Sequence, residues 1–258
     1  MLGCWKRVQF DILTLFPEFF DSPLSQSMLK RAQHHGVVRF RVINLRDFAL
    51  DRHQVTDDRP FGGGPGMVLK IEPLARAITW VRDQDAGVWV ILLSPQGRLF
   101  TQPGAARLAR QRHVLLVCGH YEGVDDRVRY YIDEEISIGD YILTGGEIPA
   151  VVVIDAVTRL LPGSLGDAQS ADEESFQDSL LEYPHYTRPQ LFNGHAVPEI
   201  LLSGNHQRIA RWRRQQALRR TWQRRPDLLD RASLTTEDQD FVADLARESQ
   251  TGSEPKDE

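Results

Sequence analysis

The sequence predicts an α/β protein with a mostly parallel sheet, followed by a small helical C-terminal domain. Three observations support this prediction. Short apolar segments rich in β-branched residues alternate with amphipathic segments over residues 8–161, as in successive strand–helix–strand units. Pro162-Gly163 ends the alternation, because both residue types interrupt regular elements. From about Ser179 onward the patterns are helical and rich in arginine.

The individual elements follow from hydrophobic spacing and from the residues that stop helices and strands. The first strand is stopped by Phe16-Pro17, and the first helix is closed by Gly36. The predicted elements, in order, are strand Val8–Leu15, helix Leu24–His35, strand Val37–Leu45, loop 46–66, helix 72–84, strand Val88–Leu93, helix 102–112, strand Val114–Cys118, a short helix near 124–131, strand Glu135–Ile138 and helix 147–161.

The chain divides into three predicted parts. Residues 1–163 form the sheet domain. Residues 164–178 are small, polar and acidic, which is typical of a flexible linker. Residues 179–258 form the helical domain, including a final helix near 236–248 and a polar tail that we expect to be disordered.

Composition excludes several classes of protein. The 258 residues are 41% hydrophobic and 26% charged, as in ordinary globular proteins. The longest apolar stretch, Ile148–Leu161, contains Asp155 and Arg159 and is shorter than the roughly 18–20 residues that span a bilayer. The N-terminus lacks the apolar core of a signal peptide. Cys4 and Cys118 match no metal, redox or disulfide spacing. We therefore expect a cytoplasmic protein with no metal site and no membrane partner.

Charge is distributed unevenly along the chain. The formal net charge is −5, yet arginines crowd residues 208–231, whereas no basic residue occurs between Asp167 and Glu182. Trp212 and Trp222 lie among those arginines, which surround the helix rather than occupying one face. Arginine interleaved with tryptophan favours contact with phosphates and unstacked bases. A solvated basic helix remains the alternative.

Two glycine-rich segments carry most of the functional information. They are Cys118-Gly-His-Tyr-Glu-Gly123 and Ile138-Gly-Asp-Tyr-Ile-Leu-Thr-Gly-Gly-Glu147, and each follows a predicted strand. Since ligands of parallel sheets bind beyond the carboxyl ends of the strands, both segments favour a nucleoside-binding site. There Tyr121 would stack on a base and Glu122 would accept hydrogen bonds from a ribose. Plain strand-to-helix connections are the alternative.

Three further segments and one arginine have both a structural and a functional interpretation. Ser94-Pro-Gln-Gly97 is either a tight turn or part of the ligand site. Gly62-Gly-Gly-Pro-Gly66 lacks the phosphate-loop pattern, and is either a flexible loop or a lid. Arg159 either complements a helix C-terminus or faces an active-site cleft. Asp172-Glu-Glu-Ser175 is either a solvated acidic run or a mobile carboxylate that orders with substrate.

These motifs resemble those of the bacterial tRNA (guanine-N1-)-methyltransferases of the trefoil-knotted SPOUT class. The resemblance covers nearly the whole chain. It is carried by the segments above and by Asp57-Asp-Arg-Pro-Phe-Gly-Gly-Gly-Pro-Gly-Met67, Leu93-Ser-Pro-Gln-Gly97, Pro184-His-Tyr-Thr-Arg-Pro189, Leu202-Ser-Gly-Asn-His206 and Arg220-Thr-Trp-Gln-Arg-Arg-Pro226.

The resemblance implies a C-terminal trefoil knot in the sheet domain, an obligate homodimer and S-adenosylmethionine bound in a bent shape. It implies methylation of the tRNA guanosine at position 37 when a guanosine precedes it, and it suggests that Mg²⁺ assists. The residues expected to contact the cofactor are Ser94, Pro95, Gly119, Tyr121, Glu122, Ile138, Gly139, Asp140, Tyr141, Ile142, Leu143, Gly145 and Gly146. Those expected to contact tRNA are Pro65, Gly66, His185, Tyr186, Arg188, Arg214 and Arg220.

The resemblance also implies two catalytic residues. Guanine N1 carries a proton, so a carboxylate base and a cation near O6 assist its methylation. Arg159 matches the family's arginine. Glu174 stands where the family has aspartate, and its extra methylene moves the carboxylate by about 1–1.5 Å, a displacement that can cost roughly a hundredfold in rate unless the linker adjusts. Asp172 and Asp178 are reserve candidates. A non-catalytic RNA-binding protein, or a knotted methyltransferase acting on ribosomal RNA or a ribose hydroxyl, are the alternative functions.

Overall fold

The computed structural model describes residues 7–164, 175–176 and 178–250. The chain forms two compact units, Met1–Ala168 and Gln169–Glu258, and each is described by itself. The division falls inside the segment predicted to be a linker. Among the described residues, no helix has both the length and the apolar character that a membrane crossing requires.

The first unit is built on a five-stranded sheet in which every paired strand is parallel, in the order β2-β1-β6-β5-β7. Its strands are β1 (Val8–Thr14), β2 (Val38–Asn44), β5 (Trp89–Leu99), β6 (His113–Cys118) and β7 (Glu134–Ser137), and its helices are α1 (Ser27–His34), α2 (Ile71–Gln84), α3 (Gln102–Leu108) and α4 (Glu147–Thr158). Strand β3 (Asp57–Asp58), inside the predicted loop 46–66, forms an antiparallel pair with β4 (Val68–Leu69), which lies just after that loop. The predicted α/β class with a parallel sheet is confirmed.

Both faces of this sheet are buried, and the side chains of successive strand residues pack into two hydrophobic cores on opposite faces. On β6, Val114, Leu116 and Cys118 pack on the face covered by α1, α3 and α4, whereas Leu115 and Val117 pack on the face covered by α2. This is the two-residue period of a strand with helices on both sides. The sheet is therefore held in the middle layer, with the carboxyl ends of its strands at one edge.

The C-terminal boundary of β5 differs from the one predicted from the sequence. Leu93 pairs with Ile136, and Arg98 pairs with the same residue, so residues 94–97 leave the ladder and the strand then resumes. Gly97 permits the return, because a Cβ there would lie 2.4 Å from the backbone nitrogen of Ile136. The prediction that the strand ends at Leu93 is wrong. Ser94-Pro-Gln-Gly97 is a bulge that projects from the strand rather than a turn that ends it.

Three helix boundaries also differ from the predictions. The segment Leu24–His35 is divided, because Gln26 is extended and Ser27 has a φ of 47°, so α1 begins only at Ser27. Helix α3 ends at Leu108 rather than near residue 112. Helix α4 ends at Thr158, and Arg159 is its C-terminal capping residue.

The second unit is less helical at its start than predicted. Residues 180–198 contain no helix and include a short antiparallel hairpin, β8 (Leu191–Phe192) with β9 (His195–Ala196). Three α-helices follow in the described part of this unit, α5 (Glu199–Leu202), α6 (His206–Arg224) and α7 (Thr236–Gln250), with a 3₁₀ helix at Pro226–Arg231. Pro184, Pro189 and Pro198 explain the extended start, since proline lacks the amide hydrogen that a helix interior requires.

Candidate functional site

An open cavity of about 550 Å³ lies at the carboxyl ends of β5, β6 and β7. Its walls come from the β5 bulge and from the two glycine-rich loops that follow β6 and β7. Every predicted cofactor contact except Asp140 lines it: Ser94, Pro95, Gly119, Tyr121, Glu122, Ile138, Gly139, Tyr141, Ile142, Leu143, Gly145 and Gly146. Asp140 is exposed in the same loop and does not line the cavity.

The loops after β6 and β7 are held together by backbone contacts. The Gly146 N–H donates to the Gly119 carbonyl at 2.9 Å, and His120 forms an antiparallel bridge with Gly145. A Cβ on Gly146 would lie 2.6 Å from the Cα of Cys118 and 2.9 Å from the nitrogen of Gly119. Glycine at position 146 is therefore required by the close approach of two backbones.

The segment around Met67 and Leu69 forms backbone hydrogen bonds with the loop after β6. The Glu122 N–H donates to the Met67 carbonyl at 3.1 Å, and the Leu69 N–H donates to the Gly123 carbonyl at 3.0 Å. Gly66, a predicted substrate contact, packs against this loop, since a Cβ there would lie 2.4 Å from Cγ of Glu122. Pro65 beside it is exposed. The Gly62–Gly66 segment thus approaches the rim of the cavity.

Tyr121 adopts a backbone conformation that non-glycine residues rarely use. Its φ is 58°, and its side chain remains 43% exposed. The residues before and after it in the loop are held by backbone hydrogen bonds to neighbouring segments. The His120 ring meets the Tyr121 ring edge-on at 4.8 Å and meets Phe16 at 4.9 Å. Strain of this kind persists where surrounding structure enforces it, commonly at ligand sites.

A buried carboxylate lies against the loop after β7. Glu147, only 6% exposed, accepts a hydrogen bond from the Thr14 hydroxyl at 2.7 Å. The Thr14 oxygen in turn accepts from the Phe16 N–H at 2.9 Å. The Glu147 side chain also lies beneath Gly145, so it links the end of β1 to the loop after β7. From the sequence, Glu147 was interpreted only as the start of a helix. Its position directly after two glycines is the signal that could have identified it.

The same carboxylate affects the neighbouring cysteine. Complete burial of Cys118, together with the charge of Glu147, holds the pKa of its thiol well above the usual value. The thiol therefore stays protonated and has little nucleophilic character. Nδ1 of His120 is also buried and has no hydrogen-bond partner among the described residues.

Several charged residues line the cavity without having been predicted as ligand contacts. They are Asp126, Arg129 and Glu135. Asp126 and Arg129 form an exposed ion pair across one turn of the short 3₁₀ helix Asp126–Tyr130. The sequence Asp126-Arg-Val-Arg129 was the available signal, because a carboxylate and a guanidinium three residues apart share one helix face.

Comparison with known proteins assigns the chain to a family. A sequence model described as tRNA (Guanine-1)-methyltransferase TrmD matches residues 8–231. The chain belongs to this family. A relative from Dictyoglomus turgidum, named tRNA (guanine-N(1)-)-methyltransferase, is 54% identical over 93% of this chain and 98% of its own length. A relative of the same name from Carboxydothermus hydrogenoformans is 57% identical over 90% of this chain and 91% of its own length.

The TrmD-family match includes the two residues predicted to be catalytic, but the cavity described here contains neither. Arg159 caps the C-terminal end of α4, and its N–H donates to the Asp155 carbonyl. Because α4 has 12 residues and rises 1.5 Å per residue, Arg159 lies about 18 Å along the helix from the end that meets the cavity. Glu174 and Asp172 lie outside the described residues. Asp178 is exposed in the second unit.

In the second unit of this TrmD-family chain, the predicted tRNA contacts fall into two groups. His185, Tyr186 and Arg188 line a second open cavity of about 430 Å³. Arg214 binds within its own unit, donating to Asp238 at 3.0 Å and to the Ser233 carbonyl at 3.1 Å. Arg220 is half-buried on α6. Among the described residues, no cluster of three or more His, Cys, Asp or Glu side chains is arranged to hold a metal ion.

Proposed function

We propose that this chain transfers a methyl group from S-adenosylmethionine to N1 of the guanine at position 37 of tRNA, where a guanosine precedes it. Family membership and the names of the relatives support the reaction class. The observation that carries the proposal is the cavity at the carboxyl edge of the sheet, whose walls combine glycine-rich backbone with apolar and charged side chains. A cytoplasmic location, where tRNA is modified, accompanies this proposal.

The cavity residues suit an adenosine-type ligand. Its volume of about 550 Å³ lies within the usual range for small-molecule sites. Ile138, Leu143 and Pro149 offer apolar surface for an adenine, and the half-exposed Tyr121 ring and the Glu122 side chain line the same cavity. Close backbone approach at Gly145 and Gly146 leaves main-chain groups accessible to a ligand rather than covered by side chains.

When bound, S-adenosylmethionine supplies an electrophilic methyl group on a sulfonium. The task of the protein is then to orient the acceptor, exclude water and remove the N1 proton. We assign proton removal to Glu174, which matches the carboxylate position of the family motif. We assign stabilisation of the negative charge that develops on O6 to Arg159, because a guanidinium stays charged at every physiological pH.

We further propose that the active form is a homodimer in which Arg159 serves the cavity of a second copy. Two features support this. Arg159 lies about 18 Å along α4 from the cavity of its own chain. In addition, Ile148 and Val152 are 49% and 41% exposed, and their four-residue spacing on α4 makes them neighbours on one apolar face. A partner covering this face would bury apolar surface that water otherwise contacts.

The trefoil knot and the contribution of Mg²⁺ remain predictions from the family resemblance. Mg²⁺ binds few protein ligands and keeps several waters, so a phosphate-rich substrate can supply its remaining contacts. Methyl transfer measured with and without a chelator tests this point. If Mg²⁺ assists, the rate falls with the chelator and recovers on adding the ion.

The function itself is tested by methyl incorporation into unmodified tRNA transcripts. A transcript with guanosine at positions 36 and 37 should accept one methyl group, recovered as 1-methylguanosine after digestion to nucleosides. A matched transcript with adenosine at position 37 should accept none. Absence of incorporation into the first transcript, or a different methylated nucleoside, would overturn the proposal.

A further inference from the structure

The second unit contains a cavity of about 430 Å³ whose lining lies wholly within residues 183–213. One side is the extended segment that precedes the β8–β9 hairpin, and the other is formed by α5 and the first turns of α6. Its volume lies within the range of small-molecule sites. Its lining combines aromatic rings with arginines.

Part of the lining is a cluster of planar groups that are already in contact with one another. The guanidinium of Arg213 lies over the Tyr183 ring, 4.8 Å from its centroid. The His185 ring follows at 4.8 Å from Tyr183, with an angle of 44° between the planes. Nε2 of His185 lies 2.7 Å from Oε1 of Glu182, which fixes the imidazole. A planar ligand would meet a wall that is already ordered, so binding would cost little side-chain entropy.

The lining of the cavity also contains two guanidinium groups, those of Arg188 and Arg213. Nε of Arg213 is buried and has no hydrogen-bond partner among the described residues. Buried donors of this kind are normally satisfied. Arg188 is exposed on the lining, and the Tyr186 ring, 48% exposed, stands beside it. A flat group that carries carbonyl or ring-nitrogen acceptors could contact the rings and accept hydrogen bonds from the guanidinium groups.

We propose that this cavity binds one unstacked nucleobase of the tRNA, other than the guanine that is methylated. Aromatic faces and guanidinium planes are the surfaces on which single-stranded bases stack, and guanidinium groups donate to base acceptors. A phosphate alone would contact the arginines and leave the aromatic rings without a role. An apolar peptide would contact the rings and leave the arginines without a role. This proposal rests on the proposed function, since it takes tRNA as the partner.

The test combines a protein variant with removal of single bases from the RNA. Binding of a fluorescent tRNA to the full-length protein is measured with S-adenosylhomocysteine present, so that no methyl transfer occurs. Tyr186→Ala should weaken binding about tenfold, in keeping with the loss of one stacked base, and Tyr186→Phe should restore it. Phe192→Ala is the matched control: Phe192 is an exposed aromatic residue of the same unit that does not line the cavity.

The same measurement is repeated with tRNAs that each carry one abasic nucleotide in the anticodon arm outside position 37. One abasic position should weaken binding to the wild-type protein about tenfold and have no further effect on Tyr186→Ala. Additive losses at every position would overturn the proposal, as would a uniform loss that disappears at high salt, which would indicate a phosphate contact. A wild-type protein that shows this coupling but does not methylate tRNA would refute the proposed function alone.

Discussion

At the scale of single residues, the cavity depends on positions where no side chain fits. Gly146 has an ordinary φ of −81°, so its requirement is for space rather than for backbone freedom. A Cβ there would contact the backbone of Cys118 and Gly119, which cannot rotate away. Any larger residue at position 146 must therefore separate the loops after β6 and β7.

This argument predicts the effect of Gly146→Ala. We expect the affinity for S-adenosylmethionine, measured by isothermal titration calorimetry, to fall at least about tenfold, because misplaced site groups lose binding steeply. Gly104→Ala is the matched control. A Cβ at position 104 would meet nothing closer than 3.5 Å, and Gly104 lies in α3, where alanine is favoured over glycine. Equal affinities of both variants would contradict this account of position 146.

A second residue-scale prediction concerns a buried cluster in the sheet. Nε2 of His113 lies 2.9 Å from Asp11, and Nδ1 lies 3.1 Å from Asp85. Burial is the largest single influence on His113 and acts to lower its pKa, but the two carboxylates outweigh it and the pKa is raised above 6.5. Burial likewise acts to raise the pKa of Asp11, yet the hydrogen bonds from His113 and Arg41 prevail and hold it below 3.8.

The signs of these shifts give the pH window. The raised pKa of His113 stabilises the fold fully below pH 6.5, and this contribution is lost as pH rises through the folded-state value. The lowered pKa of Asp11 stabilises the fold above pH 3.8 and is lost on acidification. We therefore expect the thermal midpoint to be highest between about pH 4 and pH 6.5 and to fall as the pH rises further. His113→Gln should flatten that alkaline decline, and an unchanged decline would contradict the assignment.

At the scale of elements, much of the sheet and the cavity could be predicted from the sequence, because their signals are local. The two-residue period of β6 and the glycines that follow β6 and β7 are visible in the sequence itself. The β5 bulge could not be predicted, since it depends on Leu93 and Arg98 sharing one partner on another strand. The ion pair between Arg214 and Asp238, which are 24 residues apart, could not be predicted for the same reason.

The linker carries a prediction of its own. Glu174→Ala should abolish methyl transfer and leave the affinity for S-adenosylmethionine unchanged, because the proposed base contacts the acceptor and not the cofactor. Glu173→Ala removes a neighbouring carboxylate and should retain turnover. Methylation assays and calorimetry of both variants provide the comparison. Full turnover by Glu174→Ala would reject the assignment, and loss of turnover in Asp172→Ala instead would transfer the role to Asp172.

At the scale of the whole molecule, the proposed dimer makes a quantitative prediction. Arg159→Ala and Gly146→Val should each be inactive, since one removes the cation and the other obstructs the cofactor loops. When the two are co-expressed, about half of the dimers are mixed and each has one intact site. We expect the mixture to recover about one quarter of wild-type methylation per chain, with dimer formation by each variant checked by sedimentation.

The alternative arrangement gives a different result. If Arg159 served the cavity of its own chain, every site in a mixed dimer would carry one of the two defects. The mixture would then be as inactive as its components. Recovery of activity therefore separates a site shared between copies from a site contained within one chain.

The central claim is that the loops at the carboxyl edge of β5, β6 and β7 hold the methyl donor, and a crystal structure of this chain with S-adenosylmethionine tests it most directly. The account predicts the donor between Pro95, Tyr121, Ile138 and Leu143, with backbone groups of the loop ending in Gly145-Gly146 in contact with it. Donor bound elsewhere on the chain, with these loops in contact only with water at saturating concentration, would contradict the account.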